Sequence, residues 1–254
     1  MKRPFCVIAA FAAVGLAACM PEAERPARDV AGNTTGWTQP PQILSVRQAD
    51  ASLIFSGRAE PGARVVLRSD QGAAYAAAAD PDGRFEIRMI RPRGALLLRP
   101  ETQVGQDAAP SPDRLLIIDG GRGPIAVLRS GGPTRRLDPA PPLGAIDSDA
   151  RSLLASGHTA SQGAGVEVSA QGEALQVIPG EGGVWSVLLG AVAPGGVVRV
   201  GDQAFVWPGP GTDAAPLQVE RAGEGWRVGW SGPGGARQWT WLPDGPVASR
   251  FTVG

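Results

Sequence analysis

Lysine, histidine and cysteine are close to absent from this 254-residue chain: Lys2, His158, and the pair Cys6 and Cys19. No pair of histidines or cysteines stands at ligand spacing, so a zinc or copper site is not expected. A Ser-His-Asp arrangement would have to converge on His158, which follows Gly157 in a turn with no nucleophile or orienting acid placed nearby by sequence. Charge of one sign is missing too. Lys+Arg and Asp+Glu are 24 each, which argues against a nucleic-acid partner. The apolar run from Phe5 to Leu16 falls short of the roughly 20 residues of a membrane-spanning helix. Every basic residue after Lys2 is arginine; alongside 36 Gly and 24 Pro, this reads as a compositional bias rather than as anion capture.

What is present begins with an address. Lys2 and Arg3 precede that apolar run, and Leu16-Ala17-Ala18-Cys19 follows. The run reads as a secretory signal, residues 1–18, to be set aside from the fold. The tetrapeptide resembles the lipobox of bacterial lipoproteins, where small residues admit the peptidase and the thiol takes up lipid. That resemblance implies a covalent lipid on Cys19 as the only attached group. It also implies a membrane partner reached through that lipid, and, with Met20 in place of a retention aspartate, an outer-membrane location facing either the periplasm or the surface. Removing Lys2 and Arg3 leaves the mature chain two acidic residues in excess. With one cysteine left, no disulfide forms within it. Residues 19–41 are rich in Pro, charge and small polar side chains and read as a disordered tether.

The remainder is organised by repetition. Ser52–Leu67, SLIFSGRAEPGARVVL, returns as Ser152–Val168, SLLASGHTASQGAGVEV, and more faintly as Trp226–Leu242, WRVGWSGPGGARQWTWL. Each copy reads as strand, Gly-bearing turn, strand. Arg84-Phe85-Glu86-Ile87-Arg88 alternates with period two, which predicts Phe85 and Ile87 inward, with Trp185 and Val187 as their counterparts. Short strands separated by turn signals every 8 to 12 residues argue an all-β sandwich. The expected organisation is a sandwich over 42–129, a Pro/Gly linker over 130–144 and a second sandwich over 145–208. A C-terminal Trp-rich β-hairpin half repeat over 209–254 follows, packed on the second sandwich.

Gly57–Leu67, followed by Ala79-Asp80-Pro81-Asp82-Gly83-Arg84-Phe85, resembles the bacterial Ig-like modules of envelope proteins and the related carboxypeptidase-regulatory-like sandwiches. The resemblance implies fold and says nothing of ligand. The second repeat departs from it, with Ser161-Gln162 for Glu60-Pro61 and Gly182-Gly183-Val184-Trp185 for Asp82-Gly83-Arg84-Phe85.

Candidate chemistry is sparse. Asp80-Pro81-Asp82-Gly83 and Asp147-Ser148-Asp149 carry carboxylates at a spacing that suits calcium, although hydrogen-bonded turns are the commoner use. The amides of Asp119–Gly123 could cradle an anion, but no following helix or lysine supports a phosphate loop. The C-terminal pair holds Trp226, Trp230, Trp239 and Trp241. A four-residue loop, Gly232–Gly235, would pair Val228 with Trp239 and place all four indoles on one face beside Arg237. That face either closes a core or forms a binding platform for a sugar or a protein. The expected protein is a non-catalytic binding, scaffold or spacer lipoprotein with an unknown protein or glycan partner and no nucleic acid. A glycan-binding adhesion accessory is the alternative, and a hydrolase using a carboxylate pair ranks behind both.

Overall fold

The computed structural model describes residues 38–149, 151–160, 163–212 and 216–245; the signal sequence, Cys19 and nearly all of the tether lie outside these. The first strands are β1 (Gln42–Ala49), β2 (Ser52–Arg58), β3 (Arg64–Ser69), β4 (Ala74–Ala78), β5 (Arg84–Ile90), β6 (Leu96–Val104) and β7 (Asp107–Pro110). One sheet runs β1-β2-β5; the facing sheet holds β4, β3 and β6, with β7 on the outer part of β6. Alternation decides which side chains fill the space between. Phe85, Ile87 and Met89 of β5 are buried, while Arg84, Glu86 and Arg88 are exposed. They meet Leu53, Phe55, Val65, Leu67 and Leu98 in one apolar core. The chain crosses between sheets at Pro61-Gly62, where Gly62 has φ +73° and the Ala63 amide donates to the Glu60 carbonyl.

Next come β8 (Arg114–Ile117), β9 (Ile125–Leu128) and β10 (Arg135–Arg136), which widen the second sheet beyond β6. The second sandwich uses β11 (Leu143–Ser148), β12 (Leu153–His158), β13 (Val166–Ala170), β14 (Glu173–Val177), β15 (Val184–Leu189), β16 (Val197–Val200) and β17 (Gln203–Val206). Its sheets contain β11-β12-β15 and β14-β13-β16-β17. Each strand lies close to one hundred residues from its counterpart, and the irregularities repeat with it. β1 bulges between Ile43 and Ser45, and β11 between Leu143 and Ala145. Gly57 pairs with Phe85 and Gly157 with Trp185. A Cβ on Gly57 would stand 2.1 Å from the Gln42 carbonyl oxygen and 2.5 Å from the Phe85 ring; on Gly157, 1.9 Å from Pro142 O and 2.6 Å from the Trp185 indole. Only glycine lets the bulged strand and the aromatic ring close over the backbone from two sides.

Three strands follow: β18 (Gln218–Arg221), β19 (Gly225–Ser231) and β20 (Arg237–Pro243). β20 pairs with β11, so the second sandwich has a six-stranded sheet in the order β15-β12-β11-β20-β19-β18. Two expectations change here. The third sequence copy is not a structural repeat, because β19 and β20 pair directly whereas β2/β3 and β12/β13 lie in opposite sheets. The hairpin loop is also one residue longer than expected: Ser231 pairs with Arg237, Gly229 with Trp239 and Arg227 with Trp241. A one-residue slip sends alternate side chains to the opposite face. Trp226, Val228 and Trp230 therefore point one way, and Trp239 and Trp241 the other.

The added strands of the two sandwiches pack on each other. Leu115, Ile117, Ile125 and Val127 face the first core, and the intervening Leu116, Ile118, Ala126 and Leu128 join Ala145, Val228, Trp230 and Leu242 in a separate buried cluster. Trp241 belongs to the second sandwich's core with Trp185 and Trp207. β8, β9, β19 and β20 are thus covered on both faces, and the described residues form three cores in series.

Candidate functional site

The tryptophan platform is corrected by this packing. Trp230, Trp239 and Trp241 are buried, Trp226 is half-buried, and the four are split between two faces. Their polar handles are used internally: the Trp241 Nε1–H donates to the Ala222 carbonyl (2.9 Å) and the Trp230 Nε1–H to Thr240 Oγ1 (3.1 Å). Trp207 meets Trp241 edge to face at 6.3 Å. The Arg237 guanidinium stacks 4.8 Å from the Trp239 ring centroid and donates to Pro216 O, and Arg221 sits 5.0 Å over Trp226 while forking onto Asp244. These contacts cover the indoles instead of presenting them.

Polar chemistry concentrates at the segment expected to be a linker, 130–144, and the structure corrects that expectation as well. Far from bridging two independent bodies, it is a strap stitched to both sandwiches. Arg135 donates to the carbonyls of Ile43 and Leu44 in β1. Arg136 forms a buried pair with Asp138 (2.5 Å) and donates to Pro243 O (2.8 Å), while Asp138 Oδ1 accepts the Ile125 amide (2.9 Å). Thr134 is buried, and its amide and hydroxyl both donate to Asp147, at 2.7 Å each. Thr240 Oγ1 adds a third donor at 2.7 Å, and Ser156 Oγ donates to Thr134 O. Apart from the Arg136–Asp138 pair, these partners lie far from one another in sequence, so no local motif announces them.

Asp147 is the hub of that network, although its spacing from Asp149 suggests an acidic loop pair. Asp147 belongs to β11, whereas Asp149 lies just past the end of that strand. Burial pushes the Asp147 carboxyl up to about 6, opposed by hydrogen bonds from Thr134 and Thr240. Asp149 faces water and is held below its ordinary value by the amides of Arg151 and Ser152. The two carboxylates do not converge on a cation. Asp80 likewise spends Oδ1 on the amides of Asp82 (2.9 Å) and Arg84 (2.7 Å). At Asp119–Gly123 the amides of Gly121, Arg122 and Gly123 donate back to Ile118 and Asp119 carbonyls, leaving none of the three aimed at an anion.

Under the strap lies a cleft of about 410 Å³ lined by Arg129, Thr134, Arg136, Asp138, His158 and Val184, among others. Its guanidiniums are already engaged: Arg136 as above, and Arg129 beside Asp113 at 3.6 Å. Desolvation raises the Asp113 pKa, against the pull of Arg129, Arg135 and Arg114. His158 is exposed at the end of β12, opposite Val184. Of the other polar groups lining the cleft, the Ser156 hydroxyl donates to the Thr134 carbonyl and Asp138 is paired with Arg136.

The outward faces of the two sandwiches differ along β5 and β15. Where β5 presents Arg84, Glu86 and Arg88, β15 presents Val184, Ser186 and Leu188, at positions one hundred higher.

No family model matches the chain, and no curated protein matches it. Among solved structures, the chain is similar to a central fibronectin-III array of RIM-binding protein, at 16% identity over 79% of this chain and 76% of that one, with a TM-score of 0.26. It is also similar to a Ca2+-stabilised ice-binding adhesin of an Antarctic bacterium, at 12% identity and a TM-score of 0.22; the match covers 82% of this chain and 49% of the adhesin.

Proposed function

We propose that this protein is a lipid-anchored, non-catalytic module of the cell envelope, tethered through Cys19 at the outer membrane and acting as a scaffold or spacer that binds a partner through its surface. The observation that carries the reading is the joinery between the sandwiches. Two Ig-like units on an ordinary linker reorient freely, because interfaces between domains of one chain are small and polar by default. Here the added strands build a buried apolar cluster containing Trp230, and the strap adds hydrogen bonds to both sides. Such rigidity serves a part that sets distance and orientation. The resemblance of Leu16–Cys19 to a lipobox supports the anchor. A glycan-binding platform at the C-terminal hairpin is not part of this proposal, since its indoles are occupied.

The test has two readouts. Cys19→Ser is expected to release the protein from the outer-membrane fraction or leave it with its signal retained, and unchanged fractionation would overturn the anchor. The soluble chain is expected to unfold in one cooperative transition in which both sandwiches melt together. Two separate transitions in the wild-type chain would overturn the rigid-scaffold reading.

A further inference from the structure

We propose that the outer face of the first sandwich holds a site for a phosphate group, free or carried by a lipid headgroup, centred on Arg99 and flanked by Arg68 and Arg114. Leu67, Leu98 and Leu115 face the first core. Arg68, Arg99 and Arg114 are their neighbours along β3, β6 and β8, so alternation turns all three to the other side of the sheet. The ladder sets them in line. Arg68 pairs with Arg99, and Leu98 pairs with Leu115, which brings Arg114 beside Arg99. Three arginines thus follow one another at the strand spacing of about 4.8 Å.

Like charges directly opposite each other destabilise a sheet. The two flanking arginines have compensation. Arg68 lies 3.6 Å from Glu101. Arg114 donates to the Ser111 and Asp113 carbonyls; burial lowers its pKa and the Arg99 charge lowers it further, against the pull of Asp70 and Asp113. Arg99 has no such partner. No ion pair among the described residues includes it, and its Nε–H is buried without a hydrogen-bond partner among them. Glu101, next but one on β6, spends one oxygen on Arg68 and the other on the Gln103 amide. A bias toward arginine does not account for this placement. Arg199, one hundred positions on in the second sandwich, also faces outward, but it pairs with Ser169. The row is reachable from the Arg68 end, where that side chain is 45% exposed. Guanidiniums carried on successive strands approach a common ligand from different directions. A tetrahedral oxyanion offers oxygens in as many directions, whereas the two coplanar oxygens of a carboxylate satisfy a single fork.

The experiment uses the full chain carrying Cys19→Ser, so that no thiol-linked lipid holds it to a membrane. Sodium phosphate at several times its Kd is expected to raise the melting temperature by about 2–4 °C over sodium chloride or acetate of equal ionic strength. Arg99→Gln is expected to abolish that increment and Arg199→Gln to keep it. In co-sedimentation with vesicles of equal parts phosphatidylcholine and phosphatidylglycerol, Arg99→Gln is expected to bind about fivefold more weakly than its parent, and Arg199→Gln equally well. An Arg99-dependent response in either arm supports the site. Confined to the vesicles, it assigns a headgroup phosphate; confined to the melting curve, a soluble one. No such response in either arm, an equal loss in Arg199→Gln, or equal protection by acetate overturns the proposal. Should Arg99→Gln fail to fold, Arg68→Gln takes its place: it frees Glu101 to pair with Arg99 and is expected to lose the same responses, and their full retention overturns the proposal.

Discussion

Phe85 over Gly57 and Trp185 over Gly157 occupy the same place in the two sandwiches, yet one ring is a phenyl and the other an indole whose Nε1–H is buried without a hydrogen-bond partner among the described residues. The comparison separates frame from filling. Bulge, glycine and aromatic ring recur because each is required by the other two. What projects outward is free to diverge, and it does so in β5 against β15 and in the strands added to each sandwich: β8 to β10 on one, β18 to β20 on the other.

The comparison breaks most completely at the cluster where the two sets of added strands meet. Trp230→Ala is expected to cost about 3–5 kcal/mol, the usual range for truncating a fully buried aromatic. Because Trp230 serves neither sandwich alone, calorimetry should show the single transition splitting in two. Next comes the shared frame. Gly57→Ala and Gly157→Ala each drive a Cβ into a backbone carbonyl, and each should cost about 3 kcal/mol, at the upper end of ordinary overpacking. Matching denaturation midpoints for the pair would show that the frame is equivalent in both halves; a harmless substitution at either site would show that it is not.

The strap gives a smaller effect that depends on pH. The Asp147 carboxyl has its folded-state pKa raised from 3.8 to about 6. Between those values the folded chain holds a proton that the unfolded chain has released, so the contribution is fully present below pH 3.8 and is lost as pH rises through 6. From pH 4 to pH 7 the loss is about 2 kcal/mol. It should appear as a melting temperature that declines over that range, a decline absent from Asp147→Asn. The smallest effect sharpens the comparison from inside the core. Trp185→Phe restores the ring used in the first sandwich and removes an unpartnered N–H, trading lost contact area against a relieved desolvation cost of about 1–3 kcal/mol. The net change is expected to stay within about 1 kcal/mol in chemical denaturation.

How much of this is legible in the sequence follows from what each element needs. The period-two pattern of Arg84–Arg88 and the glycine-bearing turns are local, so the sandwich class and the inward side of β5 can be read directly. β8 and β9 carry runs, Leu115-Leu116-Ile117-Ile118 and Ile125-Ala126-Val127-Leu128, that do not alternate. Continuous apolar character marks a strand covered on both faces, but it does not say what covers the second face. The hairpin's faces escape a sequence reading for a narrower reason. A loop of five residues instead of four, closed by Gly235 N–H to Gly232 O and Gly232 N–H to Ala236 O, exchanges the faces of its second strand. The strap is least legible. Thr134, Arg135 and Arg136 look like linker residues until partners drawn from positions as distant as Ile43 and Pro243 arrive to satisfy them.

Those arginine contacts have a mechanical side. The chain enters the fold at β1, an edge strand, so any tension along the N-terminal segment loads β1 first. Arg135 grips the Ile43 and Leu44 carbonyls at the point of entry and is continuous with Arg136, which grips Pro243 at the far end of the described chain. Force arriving at the first strand is thus shared with the middle of the molecule before β1 can peel from β2, and the segment that looked like a hinge acts as a strain relief.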